Sequence, residues 1–201
     1  MRNNSSISNP FSITSYIGKE FFCDRIHETE NLSNALHNRR NVTLISPRRI
    51  GKTGLIHHLF QTIPSKEANC FYVDLYSTTN LRDFTKALAE EVLTKRITPF
   101  SERVWSEITH FFGSLRPVFG ADPISGMPQC TIDIQPQREE WTLQQIFAYL
   151  EKSDIPCYIA LDEFQQITEY KDVKMEALLR THIQQLNNVR FIFAGSKKHV
   201  M

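Results

Sequence analysis

The chain has 201 residues, 41% of them hydrophobic, enough to enclose a sizeable core without disulfide or metal staples. A formal charge of +1, with no long run of like charge, gives no electrostatic argument for a nucleic-acid-binding or membrane-binding surface. Cys23, Cys70, Cys130 and Cys157 lie far apart, and the histidines show no H-E-x-x-H spacing, so a structural zinc site is not expected. No signal peptide or bilayer-length apolar stretch is visible, which with free thiols makes the cytoplasm the expected location.

Residues 1–15 open with an Asn/Ser-rich stretch and read as a flexible segment; residues 16–201 read as the folded core. Phe11, Ile13, Tyr16 and Ile17 form an irregular apolar lead-in. A helical pattern then places Ile26, Leu32 and Leu36 inward and His27, Glu28, Glu30, Asn34 and His37 outward. Such a helix either closes the base side of a nucleotide pocket or simply packs on the sheet.

Val42 to Ile45 is a short apolar, β-branched run that reads as a buried strand, and Leu55, Ile56, Leu59 and Phe60 give one apolar face of a helix. Between them Ser46-Pro47-Arg48-Arg49-Ile50-Gly51-Lys52-Thr53 follows the phosphate-loop (Walker A) pattern, with Ser46 where its first Gly belongs. The loop from Ser46 to Gly54 would wrap the phosphates with the backbone N–H groups of every residue but Pro47, Gly51 permitting the close approach. Lys52 would reach the β/γ oxygens and the Thr53 hydroxyl would ligate Mg²⁺. Any positive φ required at Ser46 would cost energy.

Asn69 to Leu75 reads as a second buried strand, and Leu81 to Ile97 as a long helix burying Phe84, Leu88, Val92 and Leu93. Val104, Trp105, Ile108, Phe111 and Phe112 mark another helix. Pro, Gly and Asp then cluster at 122–128 between alternating segments, the signature of a β-hairpin inserted at 117–135, read here as surface decoration. Trp141, Leu143, Ile146, Phe147 and Leu150 form a further amphipathic helix.

Pro156 to Leu161 is an apolar run that ends in Asp162-Glu163, a Walker B-type strand end. Two carboxylates cannot enter a core unpaired, but at the carboxyl end of a parallel strand they face a ligand edge. There Asp162 would support Mg²⁺ and Glu163 would polarise an attacking water. Leu178, Leu179, Ile183 and Leu186 give the next helix, and Val189 to Ser196 a fourth strand ending in Gly-Ser. The Ser196 hydroxyl is placed to bond a γ-phosphate or the attacking water.

Strands alternate with helices throughout, which predicts an α/β sandwich of three layers around a mainly parallel sheet. In such a sheet the phosphate loop, Asp162-Glu163 and Ser196 converge on one edge, so together they read as an ATP site.

Pro47-Arg48-Arg49-Ile50-Gly51-Lys52-Thr53 resembles the Pro-Arg-Arg-x-Gly-Lys-Thr loop of the prokaryotic and archaeal AAA+-related ATPases, near the signal-transduction ATPases with numerous domains. Phe21-Phe22-Cys23-Asp24-Arg25-Ile26-His27-Glu28 resembles that family's lead-in. Leu161-Asp162-Glu163-Phe164-Gln165 resembles its Mg²⁺-binding strand, and Ala194-Gly195-Ser196-Lys197 its sensor strand. The resemblance implies ATP and Mg²⁺ as ligands and hydrolysis driving a conformational switch. It also implies a sheet in which the fourth strand lies between the first and third, with the second at one edge. Relatives continue into a fifth strand, a lid and a C-terminal domain, so the chain reads as an ATPase core lacking its last strand and lid. A protein partner or that C-terminal domain is the expected receiver of the switch. Arg48 or Arg49 could touch phosphate, and Arg180 and Arg190 are candidates for a charge donated in trans to a neighbouring subunit.

Three functions compete: an ATPase with Glu163 as base, a nucleotide switch that hydrolyses little, and a P-loop kinase. The adjacent Asp162-Glu163 pair, and the lack of an evident lid between strands, count against the kinase.

Overall fold

The computed structural model describes residues 16, 18–19, 22, 24–96, 113–121 and 128–196. The helix expected over Val104 to Phe112, and the tip of the expected hairpin, lie outside the described residues.

Four strands form one parallel sheet: β1 (Val42–Ser46), β2 (Asn69–Asp74), β5 (Cys157–Asp162) and β6 (Val189–Ser196), ordered β1-β6-β5-β2. This is the order the resemblance implies. The register sets Ser46 opposite Ser196 and Asp74 opposite Asp162, so the chemically marked residues share one edge. All six residues of β5 are buried, as expected of a central strand covered on both faces.

Helices cover both faces. On one lie α1 (Ile26–His37) and α2 (Lys52–Thr62). Their Leu32, Leu36, Leu55, Ile56 and Leu59 pack with Tyr158, Ala160, Ile192 and Ala194. On the other lie α3 (Leu81–Arg96), α4 (Glu139–Glu151) and α5 (Met175–Ile183). There Phe84, Leu88, Val92, Leu143, Phe147 and Leu179 pack with Phe71, Val73, Ile159, Leu161 and Phe191. Successive residues of β5 thus enter different cores, the period-two alternation of a strand. Among the described residues no helix is long and apolar enough to cross a membrane.

Three residues expected in the core lie outside it. Ile45, in a strand expected to be buried, is 60% exposed, because β1 is the end strand of the four and alternate residues face outward. Ile26 is 68% exposed because it opens α1 ahead of the first turn that reaches the sheet. Trp141 is 37% exposed, with the Arg138 guanidinium 5.8 Å from its ring centre.

The hairpin is present as β3 (Leu115–Ala121) and β4 (Pro128–Ile134), antiparallel and pairing Leu115 with Ile134. It is more than decoration, because Leu115, Ile132 and Ile134 belong to the larger core cluster. Beside them the Ser114 and Thr142 hydroxyls, both buried, share a 2.7 Å hydrogen bond. Ile134→Ala should therefore destabilise the whole fold by about 2–5 kcal/mol, read as a lower midpoint in chemical denaturation.

Candidate functional site at the carboxyl edge of the sheet

The loop after β1 turns sharply into α2. Gly51 carries φ +73° and Arg49 φ +64°, whereas Ser46 is not among the positive-φ residues. The expected cost at Ser46 therefore does not arise: it is the last residue of β1, paired with Ser196, and strand geometry suits any side chain. The left-handed turn falls instead on Arg49, at about 1 kcal/mol, and on Gly51, where it costs little. The lead-in helps to hold this shape, since the Arg25 guanidinium donates to the Ile50 carbonyl.

Lys52 opens α2, and its Nζ donates to the carbonyls of Ser46 and Pro47, each at 3.2 Å. The ammonium thus lies across the mouth of the loop, where the positive end of the α2 dipole also points. Gly54 faces the Phe22 ring, whose edge would lie 3.8 Å from an added Cβ. Pro47, Arg48, Arg49 and Ile50 are exposed at the loop's surface.

Asp162 ends β5 and is only 2% exposed. Its Oδ2 accepts from the Thr53 hydroxyl at 2.6 Å and from the Tyr72 hydroxyl at 2.8 Å. Its Oδ1 accepts from the Glu163 amide at 2.9 Å. A buried carboxylate is tolerable only with such donors. Burial, and then the neighbouring Asp162 charge, push the Tyr72 phenol far above its ordinary range, so Tyr72 stays a donor. Nothing in the sequence marked Tyr72: within Phe71-Tyr72-Val73 it looks like any aromatic strand residue.

Glu163 adopts a left-handed backbone, φ +51°, directly after the strand. Its carboxylate accepts from the Gln165 side-chain amide, whose Oε1 in turn accepts from the Ser196 amide at 3.1 Å. The Ser196 Oγ is buried and has no hydrogen-bond partner among the described residues. At this edge the structure thus brings together Ser46, Lys52, Thr53, Asp162, Glu163 and Ser196.

Arg190 lies at the opposite end of β6. Its guanidinium donates to the carbonyls of Leu186 at 3.0 Å and Asn187 at 2.8 Å, and to that of Val189. It closes the turn before β6. Arg180 is exposed on α5.

The Thr53 hydroxyl and the Asp162 carboxylate form a hard-oxygen pair of the kind that suits Mg²⁺. No group of three or more His, Cys, Asp or Glu side chains able to hold a metal occurs among the described residues. A cation here would therefore complete its shell with water and phosphate oxygens, as Mg²⁺ usually does.

The AAA domain family model matches residues 35–200. Among solved structures, the Walker-type ATPase of Pyrococcus abyssi aligns with TM-score 0.54 and 18% identity, over 93% of this chain and 49% of its own. The Aeropyrum pernix ORC2 protein, solved as ADPNP–ADP complexes, aligns with TM-score 0.56 and 16% identity, over 93% of this chain and 44% of its own. The Aeropyrum pernix ORC1 protein in complex with DNA aligns with TM-score 0.54 and 16% identity, over 88% of this chain and 40% of its own. The chain thus spans less than half the length of each. Comparison with the curated proteins finds no match.

Proposed function

The chain belongs to the AAA domain family of P-loop ATPases, and from that premise we propose that it binds ATP with Mg²⁺ and hydrolyses it to drive a conformational switch. The observation that carries this reading is the 2.6 Å hydrogen bond between Thr53 of the phosphate loop and Asp162 of β5. It joins the two halves of a phosphate-and-metal site across 109 residues of sequence.

In this reading the backbone N–H groups of Ser46 and of Arg48 to Gly54 cradle the phosphates, and Lys52 exchanges its carbonyl partners for β/γ oxygens. Thr53 and Asp162 would hold Mg²⁺, which when bound would offset negative charge on the phosphate oxygens. Glu163 orients and deprotonates a water, and the Ser196 hydroxyl finds in the γ-phosphate or that water the partner it otherwise lacks. The switch would act on a protein partner or a further domain. A DNA partner, as the ORC1 structure has, draws no support from a formal charge of +1.

A second reading, a switch that holds ATP or ADP and hydrolyses little, is favoured by one observation: the Glu163 carboxylate is already engaged by Gln165. Glu163→Gln separates the two. An ATPase should lose about a hundredfold or more in turnover, the usual worth of a positioned base, while its ATP affinity stays within a few-fold. Equal turnover in wild type and variant would establish the switch.

A further inference from the structure

We propose that Gln165 is a positioning residue that ties Glu163 to the end of β6, so that whatever engages Ser196 also sets the placement of the catalytic carboxylate. The inference deepens the ATPase reading and rests on it. Gln165 uses both ends of its side-chain amide. Nε2 donates to the Glu163 carboxylate and Oε1 accepts from the Ser196 N–H at 3.1 Å. Only an amide with this reach can do both, because it offers a donor and an acceptor about 2 Å apart on one planar group.

The strand is fitted to that amide. A Cβ on Gly195 would lie 2.8 Å from Gln165 Oε1, closer than real Cβ contacts come, so Gly195 is the residue that lets the side chain reach the β6 backbone. The residue bonded to Gln165 also carries a buried hydroxyl, Ser196 Oγ, that has no partner among the described residues. A γ-phosphate or water bonded to that hydroxyl would pull on the strand end from which Gln165 hangs. Glu163 needs such a tether, since its left-handed backbone turns it out of the strand direction and the sheet alone does not orient it.

The test compares wild type, Gln165→Met and Gly195→Ala, each alone and combined. ATP–Mg²⁺ affinity is read by calorimetry, turnover by phosphate release, and folding by thermal melting. Gln165→Met keeps length and volume but lacks both hydrogen-bonding ends. It should lower kcat at least tenfold with nucleotide affinity within about twofold and melting unchanged. Gly195→Ala should show the same split, and the double variant should fall no further than the worse single, since both cut one tether. In a Glu163→Gln background, Gln165→Met should change nothing more. Unchanged kcat in Gln165→Met, or losses that multiply in the double variant, would overturn the proposal.

A reading independent of turnover comes from the Gln165 side-chain amide resonances. They should shift when the Mg²⁺ complex of a non-hydrolysable ATP analogue is added to wild type, and an unmoved pair would count equally against the tether. Wild type that binds no nucleotide would bring down the ATPase reading and this one together. Binding with normal turnover in Gln165→Met would bring down only this one.

Discussion

Lys52→Ala should remove measurable ATP–Mg²⁺ binding while leaving the fold intact. Lys52 Nζ presently donates to two backbone carbonyls of its own loop, Ser46 and Pro47, at 3.2 Å. Neutral carbonyls are weaker partners than phosphate oxygens, so the ammonium transfers downhill when a nucleotide arrives. Each charge-assisted bond contributes about 1.5–3 kcal/mol, so losing the side chain should weaken binding by at least a hundredfold. Stability should hardly change, because the freed carbonyls lie at an accessible loop and take water instead. Calorimetry on the two proteins side by side, with circular dichroism to confirm folding, is the check. Equal affinity would mean that this loop does not bind the phosphates at all.

Asp162→Ala should strike both binding and stability. The carboxylate accepts from Thr53, Tyr72 and the Glu163 amide, so its removal strands donors that were arranged around it. Thr53 lies at the surface and regains water, but Tyr72 is half-buried and does not regain it freely. A loss of about 2–4 kcal/mol is expected, partly offset because a buried charge is no longer held. The nucleotide effect is sharper. In the wild type Mg²⁺ should tighten ATP binding, whereas in the variant affinity with Mg²⁺ and with EDTA should coincide. Tyr72→Phe is the informative companion: it removes one donor yet leaves the oxygen pair of Thr53 and Asp162, so the Mg²⁺ dependence should survive. Should Asp162→Ala keep that dependence, the cation would have to sit elsewhere.

Much of this arrangement was legible in the residues alone, for physical reasons. The strands announced themselves as short apolar runs, and β5 most clearly, because burial on both faces leaves no polar alternation. Strand ends in a parallel sheet converge, so the shared edge followed once the strands were recognised. What escaped was everything that depends on which side chain reaches which. Tyr72 looked like core because an aromatic hydroxyl in a strand carries no pattern of its own. Gln165 was visible only as part of a resemblance, and its bond to the β6 backbone depends on a helical turn, Phe164–Glu169, that no periodicity distinguishes. The exposure of Ile26 has a related cause: a helical stripe fixes the face but not the residue at which the helix meets the sheet. The hairpin was found by its turn residues, while its place in the core depended on helices distant in sequence.

Among the described residues the two cores that flank the sheet are unequal, and this bears on where a bound nucleotide would register first. The layer of α1 and α2 rests on the smaller cluster, built around Leu32, Leu36, Leu55, Ile56 and Leu59. The layer of α3, α4 and α5 rests on the larger one, which also takes in the hairpin base. Local opening costs least where the fewest apolar contacts are broken, so the thinner layer is the one that breathes. The proposed phosphate loop runs straight into α2, so a ligand there would clamp that layer to the strand ends. Amide exchange should then slow in α1 and α2 well before it changes in α4. On the proposed reading the same asymmetry would give a nucleotide a softer half to stiffen against a firmer one, a mechanical requirement for passing a local event on to a partner.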